Sequence, residues 1–255
     1  MTYVVEAYNT ASESTNKIHD DEVARAYGFR GGLVPGVDVY AYLTHVPAER
    51  WGLDWLARGA ITVRLAKPVY DGHVVSVTAR ADGDALDLAV IDAGGDECAT
   101  ARATREPIDV KRPSPPTAPL PEHRPPASPS SLRPGTVLGS LTDVFDARLA
   151  ASYLADVRET LPLYATVAHP GWLLRFANSI LARNVVLGPW IHVSSDVALL
   201  GVLGAGEPVD VRACVLDEFE RKGHRFVTLD VAIDGGCRPI QRITHTAIHT
   251  LRRLD

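Results

Sequence analysis

Leu33-Val34-Pro35-Gly36-Val37-Asp38-Val39-Tyr40-Ala41-Tyr42-Leu43 returns later in the chain as Ala168-His169-Pro170-Gly171-Trp172-Leu173-Leu174-Arg175-Phe176-Ala177-Asn178, at an offset of 135. Each copy sets a Pro-Gly step ahead of an apolar run. A second pair of blocks, residues 70–79 and 204–213, keeps an offset of 134. Two separate blocks holding nearly one offset point to a duplicated unit. The runs after the Pro-Gly steps predict helices over about 37–58 and 172–186. Apolar residues fall on most sides of them, so each helix is expected to be buried nearly all round. Tyr40, Tyr42, Trp172 and Phe176 are expected in the core.

Strand-like runs follow each helix. They cover 60–65, 73–81, 85–92 and 98–105 in the first half, and 191–197, 208–216, 225–233 and 239–250 in the second. Several are rich in β-branched residues. Asp82-Gly83-Asp84 and Asp234-Gly235-Gly236 supply turn chemistry between them. One long helix and an antiparallel meander, repeated, is an α+β architecture in which the sheet wraps the helix. Half of the 18 prolines lie between Pro113 and Pro134, a composition that favours an extended, semi-rigid linker and not a core. The expected organisation is a first unit over 1–112, a Pro-rich linker over 113–135 and a second unit over 136–255.

Bulk properties exclude some classes. With a net charge of −5 and a pI near 6.0, the chain carries no basic footprint for nucleic acid. No apolar run is long enough to span a membrane, and the N-terminus lacks the pattern of a signal peptide. The three cysteines, Cys98, Cys214 and Cys237, are odd in number and widely spaced, which fits a reducing, cytoplasmic setting. No Cys/His spacing suggests a metal. His245 and His249 read as strand residues.

Chemistry concentrates just ahead of the first helix. Ser14-Thr15-Asn16-Lys17-Ile18-His19 is followed by Gly28-Phe29 and then by Gly31-Gly32-Leu33-Val34-Pro35-Gly36. A His beside a glycine-opened helix start is a proton handler next to a possible oxyanion site. This order resembles the MaoC-like (R)-specific enoyl-CoA hydratase/dehydratase family, whose pattern runs Asp-x-Asn-Pro-Ile-His, a Gly-Phe turn and a His-Gly step. Lys67-Pro68-Val69-Tyr70-Asp71-Gly72 is similar to the family's Lys-Pro-Val-x-x-Gly turn. The resemblance covers most of residues 10–80 and, more loosely, the second half.

The resemblance implies a double hotdog, two hotdog units forming a pseudo-dimer within one chain, with further homodimerisation optional. It implies a hydro-lyase acting on an enoyl or 3-hydroxyacyl thioester of CoA or a carrier protein, with no cofactor. His19, Asn16 and Ser14 would be the catalytic positions, and Gly36, Val37, Pro35 and Gly32 the substrate-binding ones. Gly36 would offer its N–H to the thioester oxygen. The expected pocket lies between the halves, lined by the 14–19 loop and capped by the helix beginning at Gly36. Two positions depart from the pattern: Ser14 stands where the family has its dyad Asp, and Pro35 where it has His. Residues 146–153 of the second half carry neither Asn nor His, as in the non-catalytic half of such proteins. His169 reads as structural, and Asp20 and Asp21 as a helix cap or as acids that raise the His19 pKa. A non-catalytic acyl-thioester binder and a hotdog thioesterase, with Asp38 as the nearest carboxylate, stay open as alternatives.

Overall fold

The computed structural model describes residues 2–106 and 110–252; Met1 and 253–255, at the outer ends of the two expected units, and 107–109 lie outside the described residues. The first half runs β1 (Thr2–Glu6), a 3-10 turn (Lys17–His19), α1 (Asp21–Ala26), α2 (Gly36–Arg58), β2 (Ala60–Leu65), β3 (Val74–Asp82), β4 (Ala85–Asp92) and β5 (Glu97–Thr104). The second half repeats this set of elements, with the short helix and the 3-10 turn exchanged. It runs β6 (Val137–Val144), α3 (Ala147–Asp156), a 3-10 turn (Pro162–Ala165), α4 (Pro170–Asn184), β7 (Ile191–Leu199), β8 (Pro208–Arg221), β9 (His224–Gly235) and β10 (Arg238–Thr250).

The strands form one sheet in the order β1-β3-β4-β5-β2-β7-β10-β9-β8-β6. Strand for strand, one half of that order mirrors the other. The seam is the antiparallel pair β2 and β7, where Ala60 faces Ala198 and Arg64 faces Ser194. Alternation along the strands explains which face is covered. Val75 and Val77, then Leu86, Leu88 and Val90, then Val209, Val211, Ala213 and Val215 are all buried toward the helices.

Helix α2 is buried continuously from Val37 to Ala48, as an apolar run on most sides requires. It kinks at Gly52, whose φ of 60° lies in the left-handed region. Tyr40 and Tyr42 are fully buried, whereas Trp172 and Phe176 are half-buried and pack at the margin of the core. Asp20 caps α1 by accepting from Glu22 N and Val23 N.

The Pro-rich stretch forms no helix or strand, turns at 129–132 and 134–135, and is bound down and not a free spacer. Ser140 N donates to Ala118 O, Ala127 N to Val186 O, and Arg242 reaches Pro113 O and Ser114. Leu132 within it is fully buried in the main core, which corrects the expectation that this stretch adds nothing to a core. β1, β6, α3 and the two 3-10 turns are the elements that sequence patterning did not anticipate, while α1 begins where Asp20 was read as a cap.

Candidate active site between the halves

Asn16 sits at the start of the 3-10 turn and is held by both halves. Its Oδ1 accepts from Trp190 N at 3.1 Å and from Ile18 N at 3.4 Å, and its Nδ2 donates to Trp190 O at 2.9 Å. Trp190 immediately precedes β7, so the Asn16 amide pairs with the backbone of the second half much as one strand pairs with another. The second Nδ2 hydrogen faces His19 Nε2 at 3.2 Å.

The protonation of His19 follows from its other nitrogen. Nδ1 lies 2.6 Å from Leu33 O, and a carbonyl can only accept, so Nδ1 carries the hydrogen. Neutral His19 therefore presents the lone pair of Nε2. Burial lowers its pKa below 6.5, against the opposing pull of the Leu33 carbonyl and the charge of Asp38, which favours this neutral form at pH 7.

Two cavities meet at this pair. The first, of about 240 Å³, is lined by Ile18, Leu33, Val39 and Leu65 from one half and by Ile191, Val193 and Ile248 from the other. The second, of about 320 Å³, is more polar and includes Thr10, Ser14, Arg175 and Ser179. Asn16, His19, Pro35, Asn178 and Trp190 line both. Gly36 opens α2 against the first cavity, and among the described residues no side chain caps that helix start. The first N–H groups of a helix have no partner within it and carry the positive end of its dipole. A Cβ on Gly36 would strike Leu65 Cδ1 and stand 2.9 Å from His192 Nδ1, so a side chain there forces these neighbours to shift.

These contacts place Asn16, His19, Pro35 and Gly36 together. Val37 lines the second cavity with Ser14. The Ser14 hydroxyl donates to Asn16 O at 3.2 Å and so braces the loop. Gly32 lines neither cavity, which corrects its assignment to substrate binding. Its N–H donates to Asp21 Oδ1, and a side chain there would collide with His19 O. It lets two backbones pass closely and so sets the position of His19.

Asp38, the carboxylate nearest the helix start, has both oxygens occupied. Oδ1 accepts from Arg175 at 2.8 and 3.2 Å, and Oδ2 from Thr10 Oγ1 at 2.6 Å. Burial pushes its carboxyl up, with Arg175 and Thr10 pulling against that. Among the described residues no group of His, Cys, Asp and Glu is arranged to hold a metal ion.

No protein-family model matches the sequence, and no curated sequence matches it. Solved structures do. A candidate MaoC domain protein dehydratase from Chloroflexus aurantiacus superposes with a TM-score of 0.68 at 10% identity, over 99% of this chain and 95% of that one. A MaoC-like dehydratase gives 0.64 at 12% identity, over 98% and 97%. A conserved protein from Mycobacterium tuberculosis with a double hotdog fold gives 0.58 at 12% identity, over 96% and 95%. The chain is a double hotdog. Identities this low establish that architecture and leave the chemistry to the residues.

The double hotdog has two pseudo-equivalent helix starts, and they differ. At α4, His169 Nδ1 accepts from Gly171 N at 2.9 Å, so the N–H matching that of Gly36 is already bound. The Tyr153 hydroxyl presses against Gly171, and Tyr164 packs on His169. Glu159 accepts from His45 Nδ1 at 3.0 Å and from the N–H groups of Thr160 and Leu161. Burial pushes the Glu159 carboxyl up, but His169, His45 and Leu161 N outweigh it and hold the group ionised. This end is filled with side chains, and His169 is structural there.

Sequence reasoning did not single out Asn178, Trp190, His192 or Ser195, and did not place His245 in a buried row with the last two. Ser195 Oγ lies 2.9 Å from both His192 Nε2 and His245 Nδ1. Asn178 falls at the tail of the repeated block, where it matches an apolar Leu43; that mismatch was the available signal. His245 and His249 lie on β10, facing Ser195 and Glu218 respectively, as strand residues.

Proposed function

We propose that this double hotdog is a hydro-lyase acting on an enoyl or 3-hydroxyacyl thioester of CoA or a carrier protein. The observation that carries the reading is the neutral His19, its Nε2 lone pair set between two cavities beside the uncapped start of α2. A solved neighbour, the dehydratase domain of PpsC from Mycobacterium tuberculosis, is a complex with C12:1-CoA, at a TM-score of 0.50 and 12% identity.

The chemistry runs as follows. The thioester carbonyl would accept the Gly36 N–H, which stabilises the enolate as charge moves onto oxygen. A water at Nε2 displaces the long amide contact from Asn16, whose N–H then donates to the water oxygen. His19 takes one proton from the water as its oxygen bonds to Cβ and the π pair moves toward Cα. The imidazolium then returns that proton to Cα, so water is added and the base is restored. Elimination is the same path reversed.

The held oxygens of Asp38 count against the thioesterase alternative, since a base or nucleophile needs a free lone pair facing the substrate. The test follows loss of enoyl absorbance with a panel of trans-2-enoyl-CoA substrates, for wild type and His19→Ala. Turnover that falls by roughly 10²–10⁴ in the variant is expected. No turnover by well-folded wild type at any chain length would overturn the lyase reading in favour of a binding protein.

A further inference from the structure

Asn178 carries a polar atom of the site that the protein itself leaves unused. It lies on α4, from the half of the chain that does not carry His19. It lines both cavities together with His19 and Asn16. Its Oδ1 is buried and meets no hydrogen-bond partner among the described residues. A buried amide oxygen without a partner is costly, by about 1–3 kcal/mol, and such groups in folded proteins generally find a partner in water or ligand. Its neighbours one turn away are committed elsewhere: Arg175 to Asp38 and Thr10, and Ser179 Oγ to Arg175 O.

The missing carboxylate of the loop gives that acceptor a task. A water about to attack needs one hydrogen directed at the base and the other at an acceptor, so that its lone pair points at Cβ. His19 Nε2 takes the first. Ser14, which replaces the family's Asp, carries no charge, and its hydroxyl donates to Asn16 O. Asn178, which lines both cavities with His19, brings from the second half an acceptor that no protein donor engages.

We propose that Asn178 is a catalytic residue whose Oδ1 accepts the second hydrogen of the attacking water, and equally the hydroxyl hydrogen of a 3-hydroxyacyl product, in place of the absent loop carboxylate. This rests on the lyase reading above. It makes the site a composite of the halves, with the base on the 14–19 loop and the acceptor on α4.

Kinetics on Asn178→Leu and Asn178→Asp test it. Leu keeps the shape and removes the acceptor; Asp keeps an acceptor. Asn178→Leu is expected to lose about tenfold or more in kcat with KM within about twofold, and Asn178→Asp to stay within a few-fold of wild type. Wild-type kcat in Asn178→Leu, a change in KM alone, or an Asp variant as impaired as the Leu variant would overturn the proposal while leaving the lyase reading intact. A binding measurement on unaltered protein is independent of variant folding. Wild type should hold a 3-hydroxyacyl-CoA about tenfold more tightly than the saturated acyl-CoA of equal length. Equal affinities overturn the role of Asn178. Wild type that neither binds nor turns over any thioester removes the lyase reading, and this proposal with it.

Discussion

At the residue scale, the decisive feature is a tautomer. Leu33 O fixes the proton of His19 on Nδ1, and burial keeps the ring neutral, so Nε2 presents the lone pair that the proposed base requires. The sign of the pH effect follows. Protonation disables Nε2, and the folded pKa lies below 6.5, so kcat/KM should stay level as pH falls through 6.5 and drop along a one-proton limb only beneath it. A rate profile whose acid limb is centred at or above 6.5 would assign the base elsewhere. His19, Asn16 and Gly36 were legible in the sequence because their spacing around a Pro-Gly step is a local pattern. Asn178 and Trp190 were not, because each joins the site across more than 150 residues of chain and only folding brings them to Asn16.

At the element scale, the start of α2 is wedged against the sheet. Gly36 meets Leu65 at the end of β2 and His192 at the start of β7, so this helix end rests on both strands of the seam. Gly36→Ala should cost about 1–3 kcal/mol through overpacking and should also displace the N–H from the cavity. Thermal melts paired with turnover assays check both. An alanine variant with wild-type melting and full activity would show that the helix start yields freely. Helix α2 was legible almost to the residue because a run buried on all sides needs no periodicity to be read. β1 and β6 were missed because each sits at an outer edge of the sheet, where one neighbour suffices and the apolar alternation is brief. The burial of Leu132 was not legible, because a single Leu among so many prolines carries no pattern.

At the scale of the whole molecule, His192 and His245 stack at 4.3 Å in the interior of the second half, with Ser195 between them. Burial pushes His192 down to about 3, and burial with the neighbouring ring holds His245 well below 6.5. Both are neutral when folded, while the unfolded chain protonates them near 6.5. Between that value and the folded pKa the unfolded state binds more protons, so stability falls as the solution is acidified, by up to about 1.4 kcal/mol per pH unit for each ring. Urea midpoints measured from pH 7 to pH 4 should decline on that slope, and His192→Gln should flatten it. An unchanged slope in the variant would remove this imidazole from the acid response.

The pairing of Asn16 with Trp190 has a consequence for how the two halves find each other. Along the seam, a slip of one residue would turn the buried face of β7 outward, and burial alone forbids it. A slip of two residues, about 7 Å, restores the in-out alternation, and hydrophobic burial hardly distinguishes it from the native alignment. The Asn16 amide does, because both of its bonds to Trp190 break together. The polar contact beside His19 is thus also a vernier, marking the one alignment of the halves in which the two cavities meet there.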